Sequence, residues 1–346
     1  MKILVDIGHP AHVHFLKNFI WEMQKRGHRI YINTIDKDVT IDLLNRYNLK
    51  YEVYGKSAKD LLGYANLLIK GDLKTYKTQR KYDIDIIVGI GNIFGAHISK
   101  ITKAKSITFT DTEHAKLTNM ITTPFTNVVL TPSCFKKDFG KKQIRYNGYH
   151  ELAYLHPNYF TPNPEVLSEL GLHEDDTFII LRFVSWSAAH DIGHHGIQNK
   201  IEFVKELEKY GKVLITSESK LDDALDKYRI KTSPDKLHDL LYYASLYVGD
   251  GGTTAVEGAI LGTPSIYVSS LVGTMGNFIE LEEKYGLVLN YNDSDEALKK
   301  AIELVKNPNS KSDWGKKREG LIRDKIDVTS FMVEFVENYL TYGRGP

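Results

Sequence analysis

Short apolar runs alternate with stretches of helical periodicity along almost the whole chain. Residues 1–7 read as an apolar strand (Ile3, Leu4, Val5), and residues 8–14 (GHPAHVH) as a turn. Residues 15–25 then repeat apolar side chains at helical spacing (Phe15, Phe19, Ile20, Met23) until Arg26 and Gly27 close the pattern. With the next strand at 29–34, this order predicts a βαβ unit and hence a parallel sheet. The alternation goes on through a helix at 40–47, a strand at 50–54, a lysine-bearing helix at 58–81 and a strand at 84–88. That strand runs into Gly89, Ile90, Gly91 and Asn92, and a helix at 96–102 and strands at 106–109 and 128–131 complete the first half.

Near Gly148 the pattern changes. The stretch HELAYLHPNYFTPNPEV carries three of the ten prolines and few helix signals, which predicts a linker. A second alternation follows: strands at 177–183, 212–216, 246–248, 265–268 and 287–289, interleaved with helices at 198–210, 237–244, 277–285 and 295–306, and a last helix at 328–342. A chain of 346 residues exceeds what one core organises, so two domains are expected, at 1–155 and 160–327. The fold class predicted is α/β, with two Rossmann-like doubly wound domains. Such halves place ligands at the carboxyl ends of their strands, in a cleft where the halves face each other.

The sharpest local signal is GDGGTTAVEGAILGTP at residues 249–264. A short strand ends in Gly249, Asp250, Gly251 and Gly252, and a helical pattern (Ala255, Val256, Ala259, Ile260) runs from there to Gly262. Thr253 and Thr254 are expected as N-cap residues, so that first-turn amides, helix dipole and hydroxyls converge on one phosphate. Glu257, one turn on, is placed to accept from sugar hydroxyls. A tight strand-to-helix connection would use the same glycines and threonines without any ligand. The lysine of a P-loop and the spacing of a dinucleotide fingerprint are both missing, which argues against a hydrolysed triphosphate and a nicotinamide cofactor.

Composition adds an asymmetry. Net charge is +1, yet residues 1–150 hold 24 Lys/Arg against 13 Asp/Glu, leaving 21 against 31 beyond them. A basic first half can face an anionic membrane or an acidic substrate; nucleic acid is not among the partners expected. The one cysteine, Cys134, excludes an intramolecular disulfide and fits a reducing compartment. No apolar run approaches the ~18 residues of a membrane span, so a cytoplasmic protein is expected, at most peripheral at the inner face of the cell membrane.

Three further clusters follow strands. His9, His12 and His14 occupy the first turn; one imidazole there suits a general base or a backbone hydrogen bond, and a metal is not expected. Asp111 and Glu113 in FTDTEHA suit acid–base work or, for Asp111, a helix cap. RFVSWSAAHDIGHHG brings Arg182, Ser185, His190 and Asp191 behind a buried strand, where Arg or Ser could clamp a diphosphate. Asn277 opens a later helix and could meet sugar hydroxyls, as could Glu280, and His238 is counted with the nucleotide-sugar residues.

These residues carry a resemblance. DIGHPAHVHFLKNFIWEMQKRGHRIYI looks like the opening of GT-B nucleotide-sugar enzymes and is similar to the peptidoglycan-precursor N-acetylglucosaminyltransferases. GDGGTTAVEGAILGTPSIYV resembles the nucleotide segment of those enzymes and the SGG…EE segment of non-hydrolysing UDP-N-acetylglucosamine 2-epimerases. GHPAHVHF, RFVSW…AHD and DGGTT together resemble a prokaryotic, largely archaeal domain-of-unknown-function family, over nearly the whole chain. The resemblance implies a GT-B fold whose second domain holds a nucleotide sugar without metal and with no other cofactor. Gly251, Gly252, Thr253 and Thr254 would meet the diphosphate and Glu257 the ribose. His12 or Asp111 would be the base, and helix 328–346 would pack back on the first domain. The activity implied is transfer of a hexose or N-acetylhexosamine from a UDP-sugar to a glycan or lipid-linked acceptor. The alternative is 2-epimerisation, which the missing GTRPE turn and the replacement of EAGLR by FTDTEHA disfavour.

Overall fold

The computed structural model describes residues 1–58, 60–184, 195–217 and 221–342. The chain divides into two compact units, Met1–Tyr154 with Ile326–Pro346, and Leu155–Lys325. Among the described residues no helix is long and apolar enough to cross a membrane.

The first unit runs β1 (Lys2–Ile7), α1 (Pro10–Lys25), β2 (Arg29–Asp36), α2 (Thr40–Arg46), β3 (Glu52–Lys56), α3 (Leu61–Tyr82), β4 (Ile86–Ile90), α4 (Ile93–Ile101), β5 (Lys105–Phe109), α5 (Lys116–Thr122), β6 (Val128–Pro132), β7 (Gln143–Tyr146) and α6 (Leu152–Leu155). Its seven strands form one parallel sheet in the order β3-β2-β1-β4-β5-β6-β7. Ile3, Leu4, Val5 and Ile7 of β1 are fully buried, as a central parallel strand covered on both faces must be. The chain steps outward from β1 to β3 and returns to β4, so right-handed crossovers set α1 and α2 on one face of the sheet and α3, α4 and α5 on the other.

The second unit runs α7 (Glu165–Glu169), β8 (Phe178–Phe183), α8 (Lys200–Glu208), β9 (Lys212–Ser217), α9 (Leu237–Tyr243), β10 (Leu246–Gly249), α10 (Gly252–Leu261), β11 (Ser265–Val268), α11 (Gly276–Glu283), β12 (Val288–Tyr291), α12 (Ser294–Lys306) and α13 (Ser310–Asp324). Its parallel sheet has the order β12-β11-β10-β8-β9. α14 (Val328–Tyr342) then lies against α1 of the first unit. There Glu337 accepts from Arg26 at 2.7 Å and bonds His28 at 2.9 Å, and the Thr329 hydroxyl donates to the Ala153 carbonyl at 2.7 Å.

One expectation needs correction. The stretch read as a linker from His150 onward starts instead as part of the first unit, which runs to Tyr154: Tyr149, Leu152, Ala153 and Tyr154 are all buried. The run is too short for its periodicity to register. β7 and α13 were absent from the sequence reading for a related reason. β7 carries QIRY on a sheet edge, and α13 buries only Ser310, Trp314 and Leu321 on an otherwise charged helix.

Candidate functional site

In the second unit the chain leaves β8 toward β9 on one side and continues from β10 to β11 on the other. β8 and β10 therefore flank a topological switch point, the place where open α/β sheets receive ligands. The register sets Arg182 beside Gly249 at the two strand ends. Beyond them Asp250, itself buried, accepts from the Val184 amide at 2.7 Å, and its own amide donates to the Arg182 carbonyl at 3.2 Å. The two strand ends are thus laced together.

α10 starts at this junction. Its N-cap is Gly251, with extended backbone and no side-chain cap, so Thr253 and Thr254 are not the caps expected but first-turn residues. A side chain has no room at the cap: a Cβ on Gly251 would stand 2.5 Å from Cδ of Arg182, whose stem lies across the glycine. From Thr254 to Leu261 the helix is buried, and only Gly252 and Thr253 reach the surface. A buried helix therefore shows little but its amide-rich end, where partial positive charge collects. Arg182 adds a full charge there, its Nη1 donating to the Thr216 hydroxyl at 3.1 Å.

Glu257 and His238 come together inside the unit. Both are buried, and His238 Nε2 meets Glu257 Oε1 at 2.9 Å. α11 packs beside the start of α10, since a Cβ on Gly252 would touch the Phe278 ring at 3.3 Å. Asn277, next to Phe278, is buried and accepts from the Phe278 amide at 2.9 Å. Glu280 is engaged elsewhere, with both oxygens 2.9 Å from the buried Lys325 ammonium. Ser185, His190 and Asp191 lie outside the described residues.

In the first unit the switch point falls between β1 and β4, and the loop after β1 carries the histidines. The three rings have separate tasks. His9 caps α1 by accepting from the Ala11 amide at 3.2 Å, His14 meets the Tyr47 hydroxyl at 3.3 Å, and His12 Nδ1 accepts from the Gly8 amide at 3.2 Å. Accepting through Nδ1 leaves His12 with its proton on Nε2. Burial, with Lys37 and His150 nearby, pushes its pKa down to about 3, so His12 is a neutral donor and its lone pair is already in use. That geometry does not fit the general base expected of it.

After β5 the two carboxylates separate. Glu113 is buried and accepts from the Lys136 amide at 3.1 Å, which anchors the loop after β6. Asp111 faces His150: Oδ2 lies 3.1 Å from His150 Nδ1, while Oδ1 accepts from the Thr112 hydroxyl at 2.9 Å. Asp111 caps no helix, because α5 begins at Lys116 after Ala115. Burial alone would raise its pKa; His150 and the two hydrogen bonds override that and bring it down to about 2. His150 is buried against Phe15, ring centroids 4.4 Å apart, and its Nε2 has no hydrogen-bond partner. Sequence reasoning missed His150. Once β7 is recognised, the rule that selected Asp111, a polar side chain just past a strand, selects His150 too.

Comparison with known proteins bears on the fold. The chain is 27% identical over 365 residues to the uncharacterized protein MJ0665 of Methanocaldococcus jannaschii, covering 98% of this chain and 99% of that one. Among solved structures, the UDP-GlcNAc 2-epimerase of Neisseria meningitidis bound to UDP-GlcNAc superposes with a TM-score of 0.67 at 13% identity, over 99% of this chain and 100% of that one. SsfS6, a glycosyltransferase of Streptomyces sp. SF2575, superposes with a TM-score of 0.61 at 14% identity, over 96% and 99%. Likeness at this level establishes the fold, which is of the GT-B type shared by these epimerases and glycosyltransferases. The family model for proteins of unknown function DUF354 matches residues 1–341, and the chain belongs to that family.

Proposed function

We propose that the protein is a GT-B glycosyltransferase moving a hexose or N-acetylhexosamine from a UDP-linked sugar to a glycan or lipid-linked acceptor. The observation that carries this reading is the α10 start: a buried helix exposing only its uncapped first residues at a switch point, with Arg182 across the capping glycine. The amides of Gly252, Thr253 and Thr254, the helix dipole and the guanidinium would take up the charge of the departing diphosphate, a task for which this reading calls on no metal. The His238–Glu257 pair backs that end from inside the unit, where Glu257 is too buried for the pentose contact the resemblance implies, and Asn277 is proposed on the sugar side.

On the acceptor, the hydroxyl oxygen attacks the anomeric carbon, the bond from that carbon to the diphosphate breaks with its electron pair leaving on phosphate, and the hydroxyl proton passes to Asp111. Asp111 is chosen over His12 because it is ionised and its side chain keeps 20% of its surface open. His150 is a positioning residue that holds Asp111 ionised and oriented, and His12 offers its Nε2 proton to a hydroxyl. Work on a lipid-linked acceptor would be done at the inner face of the cell membrane.

The likeness to UDP-GlcNAc 2-epimerases favours a second reading, 2-epimerisation, which needs no acceptor. Incubating UDP-N-acetylglucosamine alone and following it by NMR separates the two: appearance of the manno epimer supports epimerisation and counts against transfer. For the first reading, labelled sugar should leave a UDP-sugar only when an acceptor extract is added, and Asp111→Asn should abolish that. Acceptor-dependent release left intact in Asp111→Asn would remove Asp111 from the mechanism.

A further inference from the structure

The two faces of the first unit's sheet are finished differently. α3, α4 and α5 form one layer: the Asp72 carboxylate meets His97 Nδ1 at 3.1 Å, and His97 Nε2 reaches the Ile121 carbonyl at 3.2 Å, tying the three helices together. At its far end Tyr76 and Arg80 of α3 line a cavity with Ile101 of α4. This layer carries large apolar side chains in the open. Leu62, Ile69, Leu73 and Tyr76 follow steps of seven, four and three along α3, which is one side of a helix, and Leu62 is 84% and Ile69 61% exposed. Ile101 of α4, across the cavity from Tyr76, and Met120 of α5 are open as well, at 69% and 65%.

The charges on these helices are mostly positive, and the acids at their margin are paired: Asp83, which lines the same cavity, with Lys103, and Glu52 of β3 with Lys74. α3, α4 and α5 hold seven Lys/Arg and a single acid, Asp72, which His97 occupies. The lysines are interleaved with the apolar residues: Ile69 is followed by Lys70, Leu73 by Lys74, Tyr76 by Lys77, and Ile101 and Leu117 each follow a lysine. Lys74 is tied to Glu52 of β3, while Lys70, Lys77, Lys100 and Lys116 are exposed. A second copy docked on this face about a two-fold axis would bring such lysines together with no acid opposite them. An anionic bilayer answers both features, with apolar side chains at the headgroup boundary and ammonium groups on the phosphates.

We propose that the α3–α5 face docks the protein on an anionic lipid surface. The inference stands apart from the sugar-transfer reading, because it is tested without any nucleotide. Flotation with vesicles of phosphatidylcholine alone, or of an equimolar mixture with phosphatidylglycerol, measures it directly. Wild-type protein is expected to float with the anionic vesicles only, and to be released by high salt. Ile69→Glu with Leu73→Glu should reduce the bound fraction by about tenfold, as should Lys70→Glu with Lys77→Glu, in both cases with the thermal midpoint unchanged, since all four side chains are exposed. Failure of the wild type to float, equal binding to neutral vesicles, or variants that bind like wild type would each overturn the proposal. So would light scattering that finds a wild-type dimer and an Ile69→Glu/Leu73→Glu monomer, because the face would then be covered by a second copy.

Discussion

Asp111 and His150 show how a neighbouring side chain fixes a charge that a buried carboxylate would not hold alone. Burial works against an ionised Asp111, and the imidazole reverses the outcome, leaving the pKa at about 2 against an ordinary 3.8. A carboxylate depressed in this way stabilises the fold above about pH 4, and that contribution, about 2 kcal/mol, is lost as pH falls through 2. His150→Ala should therefore move the acid limb of the kcat/KM pH profile upward, an effect that loss of packing alone would not produce. A limb that stays in place would deny His150 its positioning role. Asp6 behaves oppositely. It is buried in β1 with Asp72 near it, its Oδ1 has no hydrogen-bond partner, and its pKa is raised to about 7. Its folded form binds more protons than the unfolded chain between pH 4 and 7, so stability declines across that window as pH rises. Asp6→Asn should raise the thermal midpoint at pH 8, by the equivalent of about 2–4 kcal/mol, and change it little at pH 4. Equal shifts at both pH values would mean that Asp6 is already ionised throughout. His12 adds a third dependence. Its pKa is pushed down to about 3, so it costs stability as pH falls from 6.5 toward 3, and His12→Gln should flatten that decline in a denaturation series.

At the scale of elements, the start of α10 is the most informative. Hydroxyl residues are preferred at helix caps, so the sequence favours Thr253 and Thr254 there. The helix begins earlier, at a cap that has to be glycine because the Arg182 stem fills the space of a side chain on Gly251. No local pattern contains that information, since Arg182 is 69 residues away in sequence and adjacent only through the β8–β10 register. Gly251→Ala should accordingly displace Arg182, destabilise the protein by about 1–3 kcal/mol in urea denaturation, and weaken UDP binding by calorimetry. Stability and affinity both unchanged would show that the close approach has no role. Elements with strong periodicity are legible, among them β1, α1, β11, α12 and α14, whereas β7 and α13 bury few side chains and α6, though buried, is too short to announce itself. The loss of β7 from the reading concealed His150, so one unrecognised edge strand removed a site residue.

Over the whole chain, alternation of strand and helix was enough to predict two parallel sheets, because parallel strands need helical crossovers and crossovers have one hand. It also marked the ends of strands as the places to look, among them the loop after β1 and the start of α10, whereas the switch points follow from the strand order. It could not say which polar residue near a strand end meets which, as the pairing of Glu257 with His238 and of Asp111 with His150 depends on contacts far apart in sequence. The fold is shared with epimerases and glycosyltransferases alike, so activity has to be argued from the sites themselves. The site on which the account rests is the α10 terminus, and it can be addressed atom by atom. Titrating UDP into isotopically labelled protein, with backbone amide resonances followed by NMR, is the most direct test. The account predicts that Gly252, Thr253 and Thr254 shift together and saturate, and that Arg182→Ala weakens the midpoint. UDP that leaves those three amides unmoved at saturation, or that does not bind at all, would contradict it.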